Sequence, residues 1–279
     1  MKQKSVAAIH DIAGFGRCAL TVVLPLLSAC GVQTSVIPTA LLSTCTGDFK
    51  GNTFHDLTSN IEPISEHWKK EKLEFDAIYT GYLCSATQVY SVMTAIDNIK
   101  NKDTLLIVDP VMGDNGNAYS GFSVSYPSYM LRLCQKADII TPNLTEAALL
   151  AGMPYRDGIC EEEYICELLK RLYELTKAKV VLTGVSFDKK RIGAAIYEDG
   201  EIYYTLAEKH SKSFHSTGDI FASVLTGSLM NGRSLKSAAQ IASNFTSLCI
   251  KHTIESKSDP RFGVNFEQKI PDIIRFLDL

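Results

Sequence analysis

No stretch of this sequence reaches the roughly 18 uninterrupted apolar residues of a membrane span. The start, Met1-Lys-Gln-Lys-Ser-Val-Ala-Ala-Ile-His10, holds an apolar run too short for a signal segment and reads as a first strand, which points to a cytoplasmic location. None of the 8 cysteines falls in a CxxC pair. Cys18, Cys30, Cys134 and Cys249 sit in apolar runs, so the cysteines read as small buried hydrophobes of a reducing compartment. A basic block is lacking too: 28 Lys and Arg are interspersed with 31 Asp and Glu for a net charge of −3, which suggests neither a nucleic-acid nor a membrane partner. No G-x-x-x-x-G-K-[ST] occurs, which excludes a P-loop. Gly14-Phe-Gly16-Arg17 follows the first strand but lacks the third glycine of a dinucleotide fingerprint. There is no G-x-S-x-G elbow, and the 6 histidines show no metal-ligand spacing.

What is present is an ordinary globular composition: 279 residues, 46% hydrophobic and 21% charged. A chain of this length buries a large core unaided. Short β-branched runs at Val6–His10, Gln33–Ile37, Ala77–Tyr79, Thr104–Val108, Asp138–Ile140 and Lys179–Thr183 alternate with amphipathic patterns. Those patterns lie at Cys18–Cys30, His55–Lys70, Ala86–Ile99, Thr145–Ala151 and Glu161–Leu175. This alternation, with nearly continuous apolar strands, predicts an α/β fold with a mostly parallel central sheet and helices on both faces. After Thr183 the pattern changes. Ile192–Tyr197 and Glu201–Leu206 flank Glu198-Asp199-Gly200 as a hairpin, followed by a polar loop at Ala207–Phe214. Helices are expected over Gly218–Asn231, Ser234–His252 and Pro271–Leu279. Without repeats or linkers, residues 1–279 read as one domain.

The segment Phe214-His-Ser-Thr-Gly-Asp-Ile-Phe-Ala222 carries the most chemistry. A helix start offers unpaired N–H groups with partial positive charge, and Gly218 would let an anion approach them. Asp219, in the first turn, could take the proton of an alcohol during phosphoryl transfer. Taken alone, the simpler reading is a helix capped by Ser216 or Thr217. Other strand ends add to it. Leu105-Leu-Ile-Val-Asp109-Pro-Val-Met-Gly-Asp114 places two acids after a buried strand, where they could hold Mg²⁺ or stand as solvated turn residues. Asp138-Ile-Ile-Thr141-Pro-Asn143-Leu-Thr145-Glu146 repeats the arrangement. There Thr145 could cap a helix, or Asn143 and Glu146 could complete a metal–phosphate shell. Thr183-Gly184 forms a third polar tip.

Together, the Thr-Gly-Asp helix start, Asp-Pro-Val-Met-Gly-Asp and Thr-Pro-Asn-x-x-Glu resemble the ribokinase-like superfamily, and within it the pyridoxal/pyridoxamine (vitamin B6) kinases. Thr80-Gly81-Tyr82, Ser43-Thr-Cys-Thr46-Gly47 and the spacing from His10 to Leu24-Pro25 support the narrower likeness, which covers nearly the whole chain. The resemblance implies a three-layer α/β/α fold, ATP with Mg²⁺ (a monovalent cation left open), a B6 vitamer as substrate and a homodimer. It implies Asp219 as the base that deprotonates the hydroxymethyl group, with the backbone of Ser216, Thr217 and Gly218 as the anion hole. Asp109, Asp114, Asn143 and Glu146 would organise Mg²⁺ and the ATP phosphates, with Asp109, Asp114 and Glu146 nearest the metal. Thr183 and Gly184 would line the nucleotide site, and His10, Thr46 and Tyr82 would touch the pyridine ring. The chain departs from the family where Ser216 replaces a glycine, His10-Asp11 replaces a Ser-His pair and Cys45 replaces a histidine. These departures fall in the substrate pocket and keep open a hydroxymethylpyrimidine or other small-molecule kinase. A third reading, a non-catalytic nucleotide- or vitamer-binding protein, is opposed by Asp219, since a pure binder needs no base facing the anion hole.

Overall fold

The computed structural model describes residues 3–45, 49–212 and 214–279. In chain order the first elements are β1 (Ser5–Ala13), α1 (Leu20–Ala29), β2 (Gln33–Leu42), β3 (Phe54–Asp56), α2 (Thr58–Lys70), β4 (Ala77–Thr80) and α3 (Ala86–Ile99). Next come β5 (Leu105–Val108), β6 (Gly113–Asp114), β7 (Asn117–Ala118), α4 (Tyr126–Cys134), β8 (Ile139–Ile140), α5 (Leu144–Ala151) and α6 (Glu162–Thr176). The remainder holds β9 (Lys179–Val185), β10 (Arg191–Glu198), β11 (Glu201–Glu208), α7 (Thr217–Met230), α8 (Leu235–Glu255) and α9 (Ile270–Leu277).

The apolar strands read as unbroken runs because both their faces are covered. On β1, Val6 and Ala8 enter one core while Ala7 and Ile9 enter the other. The first core is closed by α1, α7, α8 and α9, through residues such as Leu26, Val224, Phe245 and Ile273. The second is closed by α2 to α6, through residues such as Ile61, Val92, Met130, Ala147 and Leu168. The result is the three-layer α/β/α arrangement with helices on both faces. The 9-stranded sheet runs β11-β10-β9-β8-β5-β4-β1-β2-β3. From β2 to β9 neighbouring strands are parallel, and β3, β10 and β11 add antiparallel edges.

β1 pairs with β2 on one side and β4 on the other. The helices that follow β1 and β4 leave to opposite faces, which opens a crevice at the carboxyl ends of these strands. The expected hairpin forms as β10–β11 and extends the sheet edge, while Ile192, Gly193 and Glu208 from it also wall the cleft described below.

One expectation needs correction, and two elements have no counterpart in the sequence reading. Residues 54–56 are not the start of a helix: they pair with Ala40–Leu42 as an edge strand, and the Asp56 carboxylate accepts the Thr58 amide at 2.8 Å, so α2 begins only there. Helix α4 was not anticipated. Its start lacks a side-chain cap, and packing of Tyr126, Met130 and Leu133 supplies what local signals do not. The β6–β7 hairpin also escaped notice, although Asn115-Gly116 takes positive φ at both residues, as a two-residue turn requires.

Candidate active site

The carboxyl ends of β5, β8 and β9 and the start of α7 surround a cavity of about 560 Å³. Asp109, Asp114, Asn143, Glu146, Thr183 and Gly184 line it from the strand ends, and Ser216, Thr217, Gly218 and Asp219 line it from the helix. The sequence segments expected to converge are thus brought together. His10 and Tyr82 do not line this cavity, and Thr46 lies outside the described residues.

The start of α7 is not capped in the ordinary way. Ser216 occupies the cap position at φ +67° and its side chain makes no cap hydrogen bond, while Thr217 Oγ1 reaches only the Phe214 carbonyl, at 3.5 Å. Neither hydroxyl caps the helix, so its first amides stay available to a ligand. The left-handed backbone at Ser216 also explains why glycine suits this position better. A Cβ built on Gly218 would meet no atom within 4 Å, so the space beside this turn is open.

Asp219 is held from across the molecule: one of its carboxylate oxygens accepts the Ala19 amide at 2.9 Å. Burial pushes its carboxyl up to about 6, against the pull of that amide and of the Ser216 hydroxyl. Such a group is ionised at neutral pH yet basic enough to accept a proton.

On the opposite wall, Asn143 rather than Thr145 caps α5. Its Oδ1 accepts the amides of Thr145 and Glu146 at 2.9 and 3.0 Å, and Glu146 Oε2 accepts the Asn143 amide at 2.8 Å, which completes a capping box. Glu146 Oε1 accepts the Met112 amide at 3.1 Å, and Asn143 Nδ2 donates to the Gly113 carbonyl at 2.8 Å. One residue pair therefore ties α5 to the turn after β5. Thr145 Oγ1 instead receives the Gly116 amide at 2.9 Å. Burial pushes the Glu146 carboxyl up to about 8, with its backbone donors opposing. Asp109 is raised well above the usual carboxylate range by burial, then by the charges of Glu146 and Asp219.

Among the described residues no basic side chain forms an ion pair with Asp109, Asp114 or Glu146. Such an uncompensated acidic group fits a hard cation chemically. No three His, Cys, Asp or Glu among the described residues form a ready-made metal site. The donor set therefore suits an ion that arrives with phosphate oxygens, as Mg²⁺ commonly does, rather than one caged by protein.

His10, expected at the acceptor ring, has no exposed surface. Its ring lies edge-on to Tyr79 with centroids 4.4 Å apart, and burial lowers its pKa to about 3, so it is neutral. Tyr82 is partly exposed and packs on Phe122 at 5.9 Å between centroids. Of the cysteines named from the sequence, Cys30, Cys134 and Cys249 are buried, whereas Cys18 is only half-buried.

Two groups of lining residues were not anticipated as functional. Lys209, His210, Lys212 and His215 lie on the connection from β11 to α7, and the two lysines bring positive charge to an otherwise acidic cavity. Their signal was the basic cluster just ahead of the Ser-Thr-Gly-Asp turn. The other is one face of α8, Ser243, Thr246, Ser247 and Ile250, whose three- and four-residue spacing marks a single helical stripe.

Residues 27–261 match the family described as phosphomethylpyrimidine kinase, and the chain belongs to that family. Among solved structures it is similar to a protein of Bacteroides thetaiotaomicron, provisionally named a phosphomethylpyrimidine kinase and crystallised with pyridoxal, at 38% identity over 100% of this chain and 96% of that one, with a TM-score of 0.91. The pyridoxal kinase of Lactobacillus plantarum is 31% identical over 99% of this chain and 98% of its own, with a TM-score of 0.89. Among curated relatives, a chloroplastic thiamine biosynthetic bifunctional enzyme of Arabidopsis thaliana is 32% identical over 66% of this chain. The match spans only 35% of that enzyme's length. The chain is a small-molecule kinase with a ribokinase-like fold, of the family that includes pyridoxal and hydroxymethylpyrimidine kinases.

Proposed function

We propose that this kinase, as one domain over residues 1–279, transfers the terminal phosphoryl group of ATP to the 5′-hydroxymethyl group of a B6 vitamer, with Asp219 as general base. The observation that carries this reading is the carboxylate of Asp219. It stands in the first turn of an uncapped helix, held by the Ala19 amide and tuned to about 6. There it would accept the hydroxyl proton as the oxygen attacks, while the amides of Ser216, Thr217 and Gly218 receive the negative charge of the moving group. Lys209 and Lys212 add positive charge on the phosphate side, and Thr183 and Gly184 would line the nucleotide channel. Tyr82, partly exposed outside this cavity, would offer an aromatic face to a flat ring.

Asp109 and Asp114 would hold Mg²⁺ directly, and Glu146, whose oxygens already accept two backbone amides, would orient its water shell. When bound, the ion would neutralise charge on the phosphate oxygens and hold them in line. The protein residues do the remaining work of aiming the acceptor and withdrawing its proton.

A second reading, phosphorylation of hydroxymethylpyrimidine, is favoured by the family match and by the His10-Asp11 departure in the acceptor region. Coupled assays of ADP release with pyridoxal, pyridoxamine, pyridoxine, hydroxymethylpyrimidine and a sugar control test both readings. Turnover of a B6 vitamer with the highest kcat/KM is expected. Higher kcat/KM with the pyrimidine would favour the second reading, and ATP binding without turnover of any acceptor would overturn both.

A further inference from the structure

Asp11 has no part in the phosphate chemistry described so far, yet the fold sets it beside the reacting end of the cleft. It lies where the register of β1 against β2 slips between His10 and Ile12, so it has no partner across the ladder. Its neighbour Ile12 bridges to Ala19, the residue whose amide holds Asp219. A short run of backbone therefore ties the two carboxyls together. Asp11 is also within electrostatic reach of Tyr82 and Cys45.

The residue is 7% exposed, and its Oδ1 is shut off from solvent with no hydrogen-bond partner among the described residues. Among the described residues no Lys, Arg or His forms an ion pair with it, and the adjacent His10 is neutral. Burial and the charge of Asp219 push the Asp11 carboxyl up to about 7. Nearly every buried polar group in a folded protein finds a partner, and a buried carboxyl beside a second acid needs one most. Among the described residues none reaches Oδ1, so its partner is to be sought in the ligand.

We propose that Asp11 is the specificity-determining carboxylate of the acceptor pocket, selecting alcohols whose ring bears an amino group over their neutral hydroxyl analogues. The inference rests on the ring-alcohol acceptor proposed above. An ionised carboxylate only accepts hydrogen bonds, so an ammonium or amino N–H satisfies Oδ1, and a cation also eases repulsion between Asp11 and Asp219. Aminomethylpyridines and aminopyrimidines share this chemistry.

The test is steady-state kinetics of the full chain with ATP and three acceptors: pyridoxamine, hydroxymethylpyrimidine with its ring amino group, and pyridoxine, where a hydroxyl replaces the amine of pyridoxamine. A hydrogen bond to a charged group corresponds to about 10–100-fold in affinity. The unaltered protein should show KM lower by about that factor for at least one amino acceptor than for pyridoxine. Which amino acceptor is preferred identifies the source. Asp11→Asn should bring the ratio towards one, with the loss falling on KM more than on kcat. Equal KM values for all three, or a preference that survives Asp11→Asn, overturns the inference but leaves the kinase reading intact. If no ring alcohol is phosphorylated, both readings fall. Should Asp11→Asn not fold, calorimetric binding of pyridoxamine and pyridoxine to the unaltered protein decides the matter, and equal Kd values sink the inference.

Discussion

The amide of Ala19 meets the carboxylate of Asp219 at 2.9 Å across 200 residues of sequence. Ala19 reaches it from an unusual backbone, φ +49° and ψ −129°, at the turn into α1. A residue with a Cβ pays roughly 1–2 kcal/mol to adopt positive φ. Here that conformation points an N–H at the acid, and a strained residue beside a reactive group fits a site preorganised by its surroundings.

If Asp219 is the base, Asp219→Ala should lower kcat by about 10²–10⁴-fold with ATP affinity little changed. Near-normal turnover by the variant, with its ATP Kd measured in parallel, would remove Asp219 from the mechanism.

The pH profile should carry the same signature. With the carboxyl raised to about 6, the proton-accepting form is lost as pH falls through that value. The expected result is a decline in kcat/KM approaching about tenfold per pH unit on the acid side. A profile flat down to pH 5 would mean that another group limits the rate.

Ser216→Gly should stabilise the protein. Ser216 sits at φ +67° with no cap bond to lose, so glycine relieves strain, and the gain should be up to about 1 kcal/mol. Thermal melts would read this as a rise of about 2–4 °C. A fall in Tm would show that the hydroxyl contributes more than the strain costs.

Gly81→Ala should do the opposite. A Cβ at this position would come within 2.2 Å of His10 Nδ1, and the ring has no room to retreat. Overpacking of this kind costs about 1–3 kcal/mol, and His10→Ala in the same chain should restore part of it. Equal melting temperatures for Gly81→Ala and the parent would contradict the packing described.

Glu146→Gln should raise the Mg²⁺ concentration needed for half-maximal rate more than it raises the acceptor KM. The reverse order in a metal titration would assign Glu146 to capping α5 alone.

How much of this was written in the sequence depends on the kind of signal. Asp109, Asn143, Thr183 and the Thr217–Asp219 turn could be found because a strand end or helix start carries its own local pattern. The alternation of apolar strands and amphipathic stretches likewise predicted both covered faces of the sheet. Edge strand β3 could not be read that way, since its three residues are all exposed and owe their conformation to pairing with β2. His10 was placed at the acceptor ring by the resemblance alone, and only the tertiary fold reveals that Tyr79 and Gly81 enclose it. The approach of Asp11 to Asp219 and the Ala19 amide are long-range relationships with no local trace at all.

The same 200-residue contact bears on how the protein comes into being. β1 lies deep inside the sheet, and its neighbours β2 and β4 follow within the first 80 residues, so the frame can begin to assemble early in synthesis. α7, however, begins only at Thr217, and the Ala19 amide must wait for it. A nascent chain arrested before that helix would keep most of its strands and yet lack the turn at Ser216–Asp219. The strand frame can therefore assemble before α7 exists, and the contact that holds Asp219 closes only once that helix has been made.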